Sequence, residues 1–343
     1  MSELDTLVEQ IHKLLDIPEA LTLDIAVNAE NFALSTETKQ DAKNQLIERL
    51  GLDTKQFSVH SAITTIIDNL TYLREIGVKR EDLGKVVTRL PQVLGLSVED
   101  TIKPRVEYLL SIGIKKEDIG KIVARLPAVL ELSVEDSMKP RVEYLLTIGV
   151  KKEDVGKIVT RLPPVLAYSV DGMQSRVEYL LSLGVKKDDL GKIVTRLPSV
   201  LAFNIEDTMK PRVEYLLSLG VKKEDVGKIL TRLPQVLGLN IDDTMKPRVE
   251  YLLRLGVKKE DVGKIVIIHP PVLEYSVEDT MKPKFEYLKE ALGSSVDTII
   301  KFPAYFSYSL QGRIKPRHEF LQLKGRTANV TRMLIPSDED FCF

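Results

Sequence analysis

Apolar residues fall along this chain in two alternating stripes, separated by proline on one side and glycine on the other. In the stretch 220–255, Val226, Ile229, Leu230 and Leu233 stand at i, i+3, i+4 and i+7, one face of a helix of roughly three turns. Glu224 and Asp225 occupy its first turn, favourable against the helix dipole. Pro234 has no amide hydrogen and biases Leu233 away from helical angles. The helix is therefore predicted to stop there, and a short 3₁₀ turn to carry Val236 and Leu237 inward. Met245, Val249, Leu252 and Leu253 form the second stripe, closed by Gly256 as a left-handed C-cap. Two residues compete to start this second helix. With Thr244 as the cap, Pro247 lies in the first turn, where its missing donor costs little; with Asn240 as the cap, Pro247 must kink the helix. Thr244 is the preferred reading, and Tyr251 is expected to point away from the stripe towards the next unit.

The pattern repeats. The proline that ends the first stripe recurs at Pro91, Pro127, Pro163, Pro198, Pro234, Pro270 and Pro303, in steps of 36, 36, 35, 36, 36 and 33 residues. Two helices of this size cannot bury both stripes alone, so units must stack and share a core, as in a solenoid. Full units open at Gly77, Gly113, Gly149, Gly184, Gly220 and Gly256, with a degenerate one from Gly293. Residues 61–77 match the second half of a unit, with Ile67, Asp68 and Asn69 in place of Lys-Pro-Arg. The third unit reads SVDGMQSR, one residue short, with Gln174 and Ser175 where the others have Lys-Pro, and a local bend or twist is expected there. The expected organisation is a helical N-terminal cap over 1–60, the repeats over 61–325, and a C-terminal cap and acidic tail over 326–343. Within the first part, Leu4 to Leu15 and Ala42 to Leu50 read as helices.

Composition narrows the class only a little. With 43% hydrophobic and 29% charged residues the chain is ordinary for a soluble protein, and no apolar run approaches the ~20 residues of a membrane span. The single cysteine, Cys342, rules out an intrachain disulfide or a cysteine-based metal site. The net charge of −1 argues mildly against nucleic acid, but residues 1–48 alone contribute −7, leaving +6 for the rest of the chain. The first arginine is Arg49, so no Arg-rich, acid-poor transit peptide is visible. His12, His60, His269 and His318 lack metal spacing, and no Ser-His-Asp or paired-carboxylate arrangement emerges from residues that simply repeat. Neither catalysis nor a cofactor is expected.

The stretch RLPQVLGLSVEDTIKPRVEYLLSIG and its copies carry a pattern of the form LG(V/I)xxED(L/V/I)GK, then P-x-(V/L)-L, then (K/R)-P-(K/R)-x-E-(F/Y)-L. It resembles the mitochondrial transcription termination factor (mTERF) family over about residues 61–340. The resemblance implies an all-α, curved α-solenoid of about seven mTERF-like repeats, each with two α-helices and a short 3₁₀ helix, whose basic groove binds double-stranded DNA or, in some members, structured RNA. It further implies a non-enzymatic role in chloroplast or mitochondrial gene expression; a monomer with no membrane partner is expected.

Two columns of cations are the candidate contacts. Lys85 and Arg89 stand at i, i+4 opposite the apolar stripe, and the pair recurs as Lys121 and Arg125, Lys157 and Arg161, Lys192 and Arg196, and Lys228 and Arg232, fading to Lys264 with Ile268. On periodicity alone they read equally as a solvated face in which Glu81 pairs with Lys85, worth ~0.3–0.5 kcal/mol. The second column comprises Lys103 and Arg105, Lys139 and Arg141, Arg176 alone, Lys210 and Arg212, Lys246 and Arg248, then Lys282 with Lys284 and Lys315 with Arg317; Lys301 restores a cation in the last unit. Cations at a helix N-terminus oppose the dipole, so a phosphate would account for them, unless Glu99, Asp100 or Glu107 neutralises them locally.

Identical surface residues in successive units should meet the same chemical group each time, which points to phosphate rather than bases. Base reading would then fall to divergent positions, Gln174, Ile268, His269 and Tyr305, or to DNA shape. Helix layers ~8–10 Å apart over seven units would span on the order of 20 base pairs. A pentatricopeptide-like RNA reader would need side chains that vary from unit to unit, and these hardly do. A protein-binding scaffold of the HEAT or armadillo kind would need an apolar or acidic groove. The recurring glycine of the Asp-(Leu/Val/Ile)-Gly-Lys segment, such as Gly84 and Gly227, is read as a helix packing point.

Overall fold

The computed structural model describes residues 59–327 and 329–341, so the helices expected near the N-terminus lie outside the described residues, as does Cys342. The chain divides into two compact units, 1–172 and 173–343. Among the described residues every regular element is helical.

Each repeat is built as its stripes predict. In the stretch 220–255 the first helix, Lys223–Arg232, buries Val226, Ile229 and Leu230, and a 3₁₀ helix, Pro234–Gly238, buries Val236 and Leu237. The second helix, Lys246–Arg254, buries Val249, Leu252 and Tyr251, and Gly256 follows at φ 96°, in the left-handed region. Leu253, expected in the core stripe, is instead 41% exposed.

The start of the second helix differs from the preferred reading. Asn240 is the cap, accepting from the Asp243 amide at 2.9 Å, and the chain then makes a π turn, Ile241–Met245, before the α-helix begins at Lys246. The Met245 amide reaches back five residues to the Asn240 carbonyl at 3.0 Å. This wider turn lets Asn240 cap the segment while Pro247 still falls in the first turn of the α-helix, so Thr244 is not the cap and the kink expected with Asn240 as the cap is avoided. Ser97, Ser133, Asn204 and Ser276 start the same arrangement in other repeats.

A π turn is one residue inserted into a helix. The third unit, one residue short, has no such turn and forms an unbroken α-helix, Val170–Ser182. The missing residue is thus the one that the π turn inserts in the other repeats.

First helices pack directly on one another. In the first unit, Arg80–Arg89, Lys116–Arg125 and Lys152–Arg161 form one layer; in the second, Lys187–Arg196, Lys223–Arg232, Lys259–Ile268 and Val296–Lys301 form another. Glycine permits the approach. A Cβ on Gly120 would lie 1.9 Å from the Gly77 carbonyl oxygen, and one on Gly227 would lie 2.3 Å from that of Gly184. Around Gly84 no described atom comes within 4 Å of such a Cβ; the position that would face it by the same spacing, 41, lies outside the described residues.

At the C-terminal end Arg317 is 5% exposed. It donates to the Met333 and Pro336 carbonyls at 2.7 and 2.8 Å and pairs with Asp338 at 2.5 Å, while Arg313 donates to Leu334 and Pro336. Arg317 therefore fastens the closing segment and is not available at the surface, which corrects its place among the candidate contacts.

Candidate nucleic-acid interface

The first column lies on the exposed side of the first-helix layers, as its spacing requires. Its lysines are ion-paired within their own helices: Lys85, Lys121, Lys157, Lys192 and Lys228 meet Asp82, Asp118, Asp154, Asp189 and Asp225 three residues earlier, at 2.6–3.0 Å. The partner is thus Asp82 and not Glu81, because the short carboxylate at i−3 sits under the ammonium. The hydrogen bond from Lys121 to Asp118 raises the pKa of the lysine.

The arginines of this column reach across to the following repeat. Arg125 donates to the Thr160 and Arg161 carbonyls, both at 3.0 Å; Arg232 donates to those of Ile267 and Ile268 at 2.9 and 3.0 Å. Arg196 approaches Thr231 and Arg232 at 3.2 and 3.5 Å, and Arg89 approaches Ala124 at 3.5 Å. These acceptors belong to the last turn of the neighbouring helix, whose carbonyls have no partner within the helix and whose dipole end is negative. Arg161 is exposed at the equivalent place. A carbonyl does not neutralise a guanidinium, so the column keeps its charge.

The second column has an internal explanation that the sequence pattern did not reveal. Lys103, Lys139, Lys210 and Lys246 pair with Glu99, Glu135, Glu206 and Asp242 four residues earlier. The arginines supply a donor that proline lacks. Pro140, Pro211 and Pro247 cannot serve the carbonyls of Asp136, Asp207 and Asp243, and Arg141, Arg212 and Arg248 donate to those oxygens at 2.7, 3.2 and 3.1 Å. Through Nε the same side chains bond the Tyr168, Leu239 and Tyr275 carbonyls, 27 residues on, at 2.9–3.0 Å. Arg176 bonds Phe203 in the same way, and Arg105 holds the Thr101 carbonyl. Asn69, which replaces the arginine in the half-repeat, reaches Leu96 over the same 27 residues at 3.0 Å. The placement of these cations against the dipole is therefore accounted for without a phosphate.

Of the divergent positions, Tyr305 is fully buried and donates its hydroxyl to the Lys284 carbonyl at 2.9 Å, so it does not face a ligand. His269 Nε2 lies 2.8 Å from the Tyr275 hydroxyl, and burial, then the charge of Arg232, holds its pKa below the ordinary imidazole value. Gln174 donates to Glu178 at 2.8 Å, whereas Ile268 is 51% exposed. Lys301 is exposed at the end of its helix and has no partner among the described residues.

The sequence pattern also holds one further set of cations, outside both columns. Lys115 and Lys116, Lys151 and Lys152, Lys186 and Lys187, Lys222 and Lys223, and Lys258 and Lys259 are all exposed, at the opening of the first helices. Their signal is the Lys-Lys-(Glu/Asp)-Asp that follows the Gly-Val or Gly-Ile of these five repeats; the repeat opening at Gly77 has Lys79-Arg80 instead. Charge is divided within the repeat. In repeats opening at Gly77 to Gly220 the segment up to the proline carries +2, and the segment after it carries between 0 and −2. The first-helix layers are the positive side.

These features define a helical-repeat protein with a cationic layer. A family model, mTERF, matches residues 39–182, 70–246 and 173–342, and the chain belongs to this family of nucleic-acid-binding repeat proteins of organellar gene expression. No curated protein matches the chain. Among the described residues no helix is long and apolar enough to cross a membrane, and no group of three His, Cys, Asp or Glu side chains could hold a metal ion.

Proposed function

We propose that the protein binds double-stranded nucleic acid, duplex DNA foremost, along the phosphate backbone, and regulates transcription in an organelle, a chloroplast or a mitochondrion. The observation that carries this reading is the repetition of an exposed arginine at one place in the first helix, at Arg89, Arg125, Arg161, Arg196 and Arg232, on layers with a net positive charge. Identical cations at identical places suit a ligand that presents the same anion at regular intervals, and they position a duplex without reading it. The second column, engaged within and between repeats, supports the framework.

A salt titration on two unrelated DNA duplexes tests the proposal. Both should bind about equally, with log K falling against log salt at a slope of about −4 or steeper, at about −0.9 per phosphate contact. Absence of duplex binding at low salt, or binding indifferent to salt, would remove the function. Preference for a structured RNA over both duplexes would transfer the role from transcription to transcript processing or ribosome assembly.

A further inference from the structure

We infer that a row of adjacent lysines opening five of the first helices is a phosphate-contacting edge of the cationic layers in addition to the arginine column: Lys115 and Lys116 with Lys151 and Lys152 in the first unit, and in the second the pairs that begin at Lys186, Lys222 and Lys258. The inference rests on the nucleic-acid reading above and names where the ligand lies.

Three observations lead to it. The first is the state of each ammonium group. Every lysine of the two columns from Lys85 to Lys246 has a carboxylate at ion-pair distance, and the pairs Lys103–Glu99 and Lys121–Asp118 are tight enough to raise the lysine pKa. Among the described residues the ten lysines of the row have neither a side-chain hydrogen bond nor an ion pair, and all are exposed. A phosphate that met a column lysine would have to displace its carboxylate first; one that met the row would displace only water.

The second observation is that these lysines do nothing for the repeat. They fill the cap and first helical position, and the caps Lys115, Lys151, Lys186, Lys222 and Lys258 make no side-chain capping bond. Second-helix segments use Ser or Asn at the equivalent place, and those residues do cap. A cation in the first turn also opposes the helix dipole. Helix stability gives no reason for two lysines there in five successive repeats.

The third is position. First helices are neighbours within each unit, so their opening residues form a row with one lysine pair per repeat. Each pair is followed by a single exposed acid, Glu117, Glu153, Asp188, Glu224 or Glu260, before the aspartate that pairs with the column lysine, so the row keeps an excess of one positive charge per repeat. A ligand that carries an anion at regular intervals, as a nucleic-acid backbone does, suits one lysine pair per repeat. A folded acidic protein does not present anions at a fixed interval.

The test uses the full chain and two variants with equal loss of charge. In the row variant Lys115, Lys116, Lys222 and Lys223 are each changed to Gln. In the column variant Lys103, Lys139, Lys210 and Lys246 are changed to Gln. Circular dichroism and the thermal midpoint of the row variant should match the wild type, since these side chains make no bond within the repeat. On a 30-base-pair DNA duplex the row variant should show a log K against log salt slope shallower by about 3 to 4, from four contacts at about 0.9 each, and at least tenfold weaker binding at low salt. The column variant should lose less than one unit of slope. Equal losses in the two variants would show that only net charge matters and would overturn the row. A wild-type slope and affinity in the row variant would overturn it too, while leaving duplex binding in place. A wild-type protein that binds no duplex at all would instead defeat the reading on which the row rests.

Discussion

The guanidinium of Arg248 donates to the carbonyl oxygen of Asp243 at 3.1 Å, the acceptor that Pro247 leaves without an amide. Its Nε donates at 2.9 Å to Tyr275 in the following repeat. One side chain thus repairs a helix and joins two repeats. Arg248→Ala should lower the stability of the second unit by about 1–3 kcal/mol, the cost of leaving a half-buried carbonyl and an exposed one short of a partner. Arg248→Lys should recover less than half of that, because a single ammonium cannot serve both oxygens in a fixed fork. Urea denaturation of the three proteins gives the comparison.

Glycine at equivalent places should respond in opposite directions. Gly120→Ala would put a methyl 1.9 Å from the Gly77 carbonyl oxygen, where backbone stands on both sides, and should destabilise by about 3 kcal/mol or more. Gly84→Ala meets no described atom within 4 Å and should stabilise its helix by up to about 1 kcal/mol. Thermal midpoints that moved the same way in both variants would contradict the packing described for the first helices.

Leu230 is fully buried in the first helix of its repeat. Leu230→Ala should cost about 2–5 kcal/mol, with the loss passed chiefly to the adjoining repeats. Hydrogen exchange should accelerate over 184–292 and much less over 77–112.

The imidazole of His269 is kept below its ordinary pKa of 6.5 by burial and by Arg232, so folding favours its neutral form. Its contribution to stability is fully present above that value and declines as the pH falls towards and through the lowered folded pKa. The thermal midpoint should fall between pH 7 and pH 5, and His269→Gln should flatten that part of the profile. A profile unchanged by the substitution would assign the pH dependence to other groups.

Much of the repeat was legible because its determinants are local. Pro234 stops a helix through its own ring and Gly256 ends one through its own φ angle, and both do so in the structure. The π turn was not legible, because five-residue bonding from Met245 to Asn240 leaves the apolar spacing intact and shows only as a choice between two caps. Arginine was the larger gap. In sequence Arg125 reads as solvated surface or a phosphate contact and Arg141 as a phosphate contact or a locally neutralised charge, since their acceptors are main-chain oxygens 35, 36 and 27 residues away and any residue provides such an oxygen. The unit missing a residue shows the converse: its deletion was plain, and its effect on the helix needed the structure.

Main-chain acceptors also bear on how such a chain can change over time. Arg125 meets the oxygens of Thr160 and Arg161, and Arg232 meets those of Ile267 and Ile268, so unlike side chains present the same joint. A coupling blind to side-chain identity is indifferent to which copy comes next. Within either unit a repeat could be duplicated or excised with its fastenings re-formed by the new neighbours, and the joint accepts unlike side chains, Ile268 standing where other repeats have Arg161 or Arg232.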